Sequence, residues 1–143
     1  MMRALKSEAA GSAIEFALVA PVLVVLCLGL VGGWSLLSFM TDMRAGVSSG
    51  ANLYLQGAGD DTLVREAALE NWQNRPSDAQ IAIARTYRCG TEIAEADDIC
   101  IGSQPSPSIE VTITASGTWD VPFDIAFFSI GQELTHAQTV RIR

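Results

Sequence analysis

The chain has one long apolar stretch near its N-terminus. Residues 17–39 contain no charged side chain and are rich in leucine and valine. A helix of this length, rising about 1.5 Å per residue, is roughly 34 Å long, which exceeds the hydrocarbon core of a bilayer at about 30 Å. The pattern therefore predicts a membrane-spanning helix.

Two other interpretations of this stretch are weaker. A cleaved secretory signal would share the basic lead of Arg3 and Lys6, but its apolar part is about 7–15 residues long and ends at a small-residue site. This stretch is longer and continues into Phe39-Met40-Thr41-Asp42. A buried helix of a soluble protein would show polar residues at helical spacing, and the stretch has almost none. We favour a retained anchor.

Orientation is indicated by charge and by cysteines. Arg3 and Lys6 precede the span and Arg44 follows it, which favours a cytoplasmic N-terminus only slightly. Cys89 and Cys100 lie in a segment of loop-like composition, and in an extracytoplasmic domain of this size they are expected to form a disulfide. The alternative is two free thiols. We predict a cytoplasmic N-terminus and a periplasmic C-terminal part.

Beyond the span, the pattern predicts further helix and then strands. Thr41 to Gln56 contains no proline and repeats apolar residues at i, i+4 steps, although Gly46 and Gly50 weaken a helix there. A second helix is expected after Gly57-Ala58-Gly59, with Asp60 or Asp61 as its N-cap and Arg75-Pro76 as its end. The apolar positions are, for the first helix, Met43, Val47, Ala51 and Leu55, and for the second, Leu63, Val64, Ala67, Ala68 and Trp72.

Alternating apolar and polar residues predict three or four antiparallel strands in the rest of the chain. The alternation runs through Ile81, Ile83 and Tyr87, then Ile109, Val111 and Ile113, and less regularly from Glu133 to Ile142. The apolar segment 119–130 is either core, which we favour, or an exposed docking patch. We expect an α+β fold with three parts: a cytoplasmic leader (1–10), a transmembrane helix (11–40) and a periplasmic α+β head (41–143).

Charge and side-chain chemistry argue against several functions. The net charge is −7, and the part from Thr41 onward holds seven Arg against fourteen Asp and Glu, which disfavours nucleic acid as a partner. His136 is the only histidine, so a histidine-based metal site or catalytic triad is not expected. The acidic cluster at Glu92, Glu95 and Asp97-Asp98 lacks the spacing of a calcium loop, and we interpret it as a solvated loop. We predict no enzyme activity, no cofactor and no metal.

The junction between leader and span has a specific motif. It reads Ile14-Glu15-Phe16-Ala17-Leu18, with Pro21 three residues further on, and it resembles the N-terminus of the TadE-like family of the Tad, or type IVc, pilus system. Leu134 to Arg141 is loosely similar to that family's closing strand. The resemblance implies an inner-membrane minor pilin, or pseudopilin, that assists pilus assembly or initiation. The implied partners are the major pilin, other minor pilins, platform proteins and prepilin peptidase.

Glu15 is the residue to which the resemblance gives a role. A carboxylate at the entrance of an apolar helix is costly to bury, so it stays at the headgroup level or meets a positive partner. In type IV pilin-like proteins, the glutamate at the fifth mature position pairs with the amine that cleavage exposes. Cleavage between Ala10 and Gly11 makes Glu15 the fifth residue and Phe16 the sixth, with Ala10 where the family usually has glycine. An interfacial glutamate without special function is the alternative.

Pro21 is the other marked position within the span. Proline removes one backbone hydrogen bond and is expected to bend the helix near the preceding turn, although membrane helices also tolerate proline without consequence. The competing interpretation of the whole chain is a generic single-pass anchor with a periplasmic binding or sensing domain. Deletion would abolish pilus assembly only if the pilin interpretation is right.

Overall fold

The protein is described by a computed structural model that covers the backbone of residues 2–101, 106–122 and 131–142, with side chains from residue 13 onward in those ranges. It divides into two compact units, Met1–Leu36 and Leu37–Arg143, and we call the second unit the head. The elements are α1 (Met2–Leu55), α2 (Asp61–Asn71), β1 (Gln80–Cys89), β2 (Glu92–Ala94), β3 (Ser108–Trp119) and β4 (Gln132–Arg141). The predicted α+β class is confirmed.

Helix α1 includes the apolar stretch and continues into the head without a break. Among the described residues it is the one helix that is long and apolar enough to cross a membrane. The predicted continuation beyond the span is confirmed, since α1 ends at Leu55 and contains both Gly46 and Gly50. One detail of the pattern is wrong: Leu55 is 62% exposed, and Tyr54 occupies the buried position instead.

Helix α2 begins where the sequence predicts and ends earlier. The Asp60 carboxylate accepts a hydrogen bond from the Thr62 N–H at 2.8 Å, so Asp60 is the N-cap. The helix stops at Asn71, before the expected Arg75-Pro76, because Trp72 takes an extended backbone conformation and buries its indole in the core. Leu63, predicted to face inward, is half exposed.

The four strands form one antiparallel sheet in the order β2-β1-β3-β4. The predicted strands correspond to β1, β3 and β4. The short β2 lies in the cysteine segment that the sequence indicates only as a loop, and it pairs with the end of β1 through a turn at Gly90, whose φ is +67°. Glycine has no Cβ and adopts a positive φ without steric cost, which allows this tight reversal. Of the apolar segment 119–130, residues 123–130 lie outside the described part of the chain.

The core lies between the two helices and one face of the sheet. Val111 and Ile113 of β3 are fully buried, and the T-shaped pair of Phe39 and Trp72, with ring centroids 5.8 Å apart, lies at the same core. The opposite face of β3 is polar. The largest fully buried side chains are Trp72, Tyr54, Met43, Ile113, Val47, Val64 and Val111. The C-terminal third of α1 is therefore a structural part of the head.

Gly46 and Gly50, which have low helix propensity, lie where α1 crosses α2. A Cβ atom added to Gly46 would lie 2.6 Å from the carbonyl oxygen of Ala68 and 3.0 Å from the Cβ of Trp72. At Gly50 the nearest atom would be a Val64 methyl at 3.2 Å. Glycine costs helix stability, but here it allows the helices to approach closely.

Candidate functional site

The first candidate site is the apolar surface of α1 between residues 13 and 36. Most of its large side chains are exposed, among them Phe16 at 70% and Leu18 at 72%. A soluble monomer rarely leaves a contiguous apolar surface of this size in water. Such a surface is suited to lipid or to another apolar helix, and it fits a single-pass membrane anchor.

Glu15 is the one acidic residue in this exposed apolar segment, and it lies near its N-terminal end. Phe16 follows it, while Ala10 and Gly11 lie in the same helix about one turn earlier. A carboxylate deep in hydrocarbon costs several kcal/mol, about 2.5–3.5 on insertion scales. Glu15 is therefore expected at the level of the lipid headgroups or beside a cation. The roles of Ala10, Gly11, Glu15 and Phe16 in processing and assembly stay predictions.

Pro21 lies inside α1, within the apolar segment. It has no N–H group, so the carbonyl of Ala17 has no helical donor four residues on. In a membrane this carbonyl needs another donor or a local change of helix geometry. The bend expected at Pro21 stays a prediction.

The second feature is a polar cluster that the sequence does not reveal. Tyr54 at the end of α1 donates a hydrogen bond to Asp61 at 2.5 Å, and Arg85 of β1 forms an ion pair with the same carboxylate oxygen. Arg85 also donates to the carbonyl of Gly59, and its guanidinium carbon lies 6.0 Å from the centroid of the Tyr54 ring. The Tyr54 hydroxyl and the Asp61 carboxylate raise the pKa of Arg85. The cluster joins α1, the start of α2 and the sheet.

The only sequence signal for this cluster is the acidic pair at residues 60 and 61. Of the two residues that the sequence offers as the N-cap, Asp60 is the cap, and Asp61 instead binds Tyr54 and Arg85 across the fold. Arg85 is separated from Asp61 by 24 residues, so no local pattern connects them. One oxygen of Asp61 accepts from both Tyr54 and Arg85, which links the three side chains, and we assign the cluster a structural role in the head.

The third feature is the disulfide loop at one end of the sheet. Cys89 and Cys100 are joined, with their Cα atoms 5.3 Å apart, which is an ordinary spacing for a disulfide. Within the loop, the Glu95 N–H donates to the Asp98 carboxylate at 2.7 Å. In the described part of the chain, no group of three or more His, Cys, Asp or Glu side chains is arranged to hold a metal ion.

These features define a class of protein: an α+β head whose core includes the end of a helix suited to anchor it in a membrane. Residues 11–52 match the family model of TadE-like proteins. The matched segment, under a third of the chain, includes Gly11, Glu15, Phe16 and Pro21, so the TadE-like resemblance is confirmed there and associates the chain with the Tad pilus system. No curated protein and no solved structure matches the chain.

Proposed function

We propose that this chain is a membrane-anchored minor pilin, or pseudopilin, that assists the assembly or initiation of a Tad pilus. The observation that supports this most is the TadE-like match over residues 11–52, a range that includes Glu15 and the exposed apolar segment of α1. The chain is anchored in the inner membrane by α1, with its N-terminus in the cytoplasm and its head in the periplasm. Its partners are the major pilin, other minor pilins, the platform proteins and prepilin peptidase.

Glu15 gives the proposal its mechanism. In a bilayer the exposed apolar side chains of α1 are solvated by lipid, so leaving the membrane requires another apolar surface to cover them. The helix of a neighbouring pilin subunit supplies such a surface. A carboxylate in that apolar setting is stabilised by a cation of the partner, such as a free N-terminal amine, and this pairing sets the axial register between the two helices.

Cleavage of the leader is a separate part of the proposal. A cut between Ala10 and Gly11 leaves Glu15 as the fifth residue of the mature chain. Mass spectrometry of the protein extracted from membranes measures this directly. We expect a mature N-terminus at Gly11, and an intact Met1 in cells with active prepilin peptidase would contradict cleavage without affecting the anchor.

The function is tested by deletion and complementation in the bacterium that encodes the chain. Deletion is expected to abolish surface pili and adhesion, and the unmodified gene is expected to restore both. Glu15→Gln, which keeps the size of the side chain and removes its charge, is expected to insert in the membrane and fail to restore pili. Glu70→Gln is the matched control, because Glu70 is an exposed glutamate of α2.

Two results would count against the proposal. Normal pili in the deletion strain would remove the pilin function and favour a generic anchored binding or sensing domain. Full complementation by Glu15→Gln would contradict the proposed role of the Glu15 carboxylate, but it would remain compatible with the pilin function.

A further inference from the structure

Strand β4 lies at one rim of the sheet. In the part of the chain that the structure describes, backbone hydrogen bonds join β4 to β3 and to no other strand. The register runs without interruption from Glu110 opposite Arg141 to Trp119 opposite Gln132, so β4 contains no bulge. It also contains no proline, and its formally charged residues, Glu133 and Arg141, lie near its two ends. Proteins usually protect an edge strand with bulges, prolines or charges, and the middle of β4 has none of these.

The backbone hydrogen bonds of β4 alternate in direction along the strand. The Ile142 N–H donates to the carbonyl of Ile109, in the same register, at 2.9 Å. In an antiparallel pair every second residue bonds to the partner strand, and the residues between them point their backbone groups the other way. The odd-numbered residues of β4 therefore direct their N–H and C=O groups away from β3. The Thr118 N–H, opposite Glu133, agrees with this, because it binds the Asp78 carboxylate instead of β4.

We call the outward-directed backbone of β4 the β4 edge. Its residues are Glu133, Thr135, Ala137, Thr139 and Arg141, and the side chains of all five are exposed. At about 3.4 Å per residue the row is about 27 Å long. A regular row of backbone donors and acceptors is complementary to another extended strand, which adds to the sheet through main-chain hydrogen bonds. The backbone geometry of the β4 edge thus specifies the kind of segment that binds it.

The opposite rim of the sheet is protected, so an open edge is not a general property of this sheet. Strand β2 at that rim is three residues long, and its neighbour β1 ends in the disulfide between Cys89 and Cys100. Further along β1, Arg65 of α2 donates to the carbonyl of Ile81 at 3.1 Å. Among the described strands, β4 is therefore the one that offers a long row for pairing.

A second copy of the chain is a weaker candidate for the β4 edge than another protein. Two β4 strands paired antiparallel are related by a half-turn about an axis perpendicular to the sheet. This half-turn makes the head segments of the two α1 helices run in opposite directions. Such an arrangement does not suit two chains that are both anchored by α1 in one membrane.

We propose that the β4 edge binds an extended segment of another protein, which pairs antiparallel with β4 and becomes a fifth strand of the sheet. Antiparallel pairing is the more stable arrangement per residue. The segment carries a lysine or arginine opposite Glu133, because opposite charges facing each other across a strand pair are stabilising. The proposal goes beyond the function proposed above, since β4 lies outside the TadE-like segment and its edge binds this segment whether or not the chain takes part in pilus assembly.

The first test is site-specific photocross-linking of the full chain in the cells that make it. The photoreactive residue p-benzoylphenylalanine replaces Thr135 at the β4 edge or, as the control, Ala82. Ala82 is exposed on the same face of the sheet, but it lies on β1, two strands away from β4. We expect a protein adduct from position 135 and none from position 82. Mass spectrometry of the adduct is expected to place the cross-link in an extended segment that contains Lys or Arg.

A proline at Ala137 tests the main-chain pairing itself. The Ala137 N–H is directed outward, so Ala137→Pro removes no hydrogen bond to β3, and proline is tolerated on an edge strand in this position. We expect Ala137→Pro to abolish the adduct formed at position 135. Ala137→Val, which keeps the N–H, is expected to retain the adduct. The near-ultraviolet circular dichroism of each extracted variant verifies that it is folded.

A charge reversal at Glu133 provides a variant that is expected to fold in any case, because Glu133 is exposed. Glu133→Lys is expected to lower the yield of the adduct at least about twofold, since an exposed ion pair contributes little but measurably. Glu66→Lys, which makes the same change at an exposed position of α2, is expected to leave the yield unchanged.

Hydrogen exchange of the full chain in detergent micelles, followed by nuclear magnetic resonance, tests the β4 edge without the partner. The N–H groups of Thr135, Ala137 and Thr139 are directed outward, whereas those of His136 and Gln138 bond to β3. We expect the outward group to exchange at least about tenfold faster than the inward group, since open backbone groups have little protection.

Four results would overturn the proposal. These are the absence of an adduct above the Ala82 level, an adduct with lipid or with a second copy alone, and an adduct whose yield is unchanged by Glu133→Lys or by a folded Ala137→Pro. The fourth is equal exchange of the outward and inward N–H groups, which would mean that the chain itself covers the β4 edge. A deletion strain with normal pili would refute the pilin function and leave these results unaffected.

Discussion

The crossing of α1 and α2 gives the sharpest prediction for stability. Gly46 has no side chain at the closest approach, and a Cβ there would meet the backbone oxygen of Ala68 at 2.6 Å. Non-bonded atoms are best separated by about 3.5–4.0 Å, so Gly46→Ala requires the helices to move apart by about half an ångström or more. The backbone oxygen of Ala68 cannot rotate away from the added methyl group, as the end of a flexible side chain can.

The size of this effect follows from two opposing terms. Overpacking costs about 1–3 kcal/mol, whereas replacing glycine by alanine inside a helix gains about 1 kcal/mol. The net loss is then about 1 kcal/mol, which corresponds to a fall in the unfolding midpoint of about 4–6 °C for a domain of this size. Gly50→Ala meets side-chain atoms that are able to adjust, the nearest at 3.2 Å, and is expected to be close to neutral.

The assay is thermal unfolding of the full chain in detergent micelles, followed by circular dichroism in the near ultraviolet. Gly59→Ala is the control, because a Cβ at Gly59 meets nothing within 4 Å. We expect the midpoints to rank with Gly46→Ala lowest and the control near the unmodified protein. A midpoint for Gly46→Ala equal to or above that of the control would refute the close crossing.

Two further predictions concern the loop and the sheet. Replacing Cys89 and Cys100 by serine is expected to lower the free energy of unfolding by about 2–3 kcal/mol, because the disulfide closes a short loop in the unfolded chain. The thermal unfolding midpoint of the unmodified protein, measured with and without reductant, tests this. Hydrogen bonds from the Thr118 hydroxyl and N–H hold the pKa of Asp78 below its usual value of about 3.8. The stabilisation by Asp78 is therefore present above about pH 4 and lost as the pH falls through the lowered pKa. The difference in thermal unfolding midpoint between the unmodified protein and Asp78→Asn is expected to shrink in acid. A difference that stays constant with pH would contradict this prediction.

Local periodicity was sufficient to predict both helices and the three long strands in their order, but not the short β2 or every buried position. The steps Met43, Val47 and Ala51 advance by four residues, or about 400°, so each step drifts about 40° around the helix. A further step of four reaches Leu55, which is about 120° from Met43, whereas a step of three reaches Tyr54 at about 20°. Leu55 therefore lies on the side of the helix away from the core, and Tyr54 is buried instead.

Contacts between distant parts of the chain explain what the sequence could not predict. Helix propensity is a local property, so Gly46 and Gly50 weaken the helix on that scale, and only the position of α2 gives them a packing role. The cluster of Tyr54, Asp61 and Arg85 likewise depends on three elements meeting. The candidate site around Glu15 differs from these contacts, because Glu15 and the apolar residues beside it are neighbours in sequence. The sequence alone was therefore sufficient to indicate it.

Helix α1 has a consequence for how such proteins can be recombined. Its residues from Leu37 to Leu55 belong to the head, and Met43, Val47 and Ala51 are among the buried residues of its core. The TadE-like match spans residues 11–52 and so includes these positions. A chimaera joined after Leu55 would combine one protein's sheet with another protein's core helix, whereas a junction at residues 36 and 37, in the middle of the helix, exchanges a complete head.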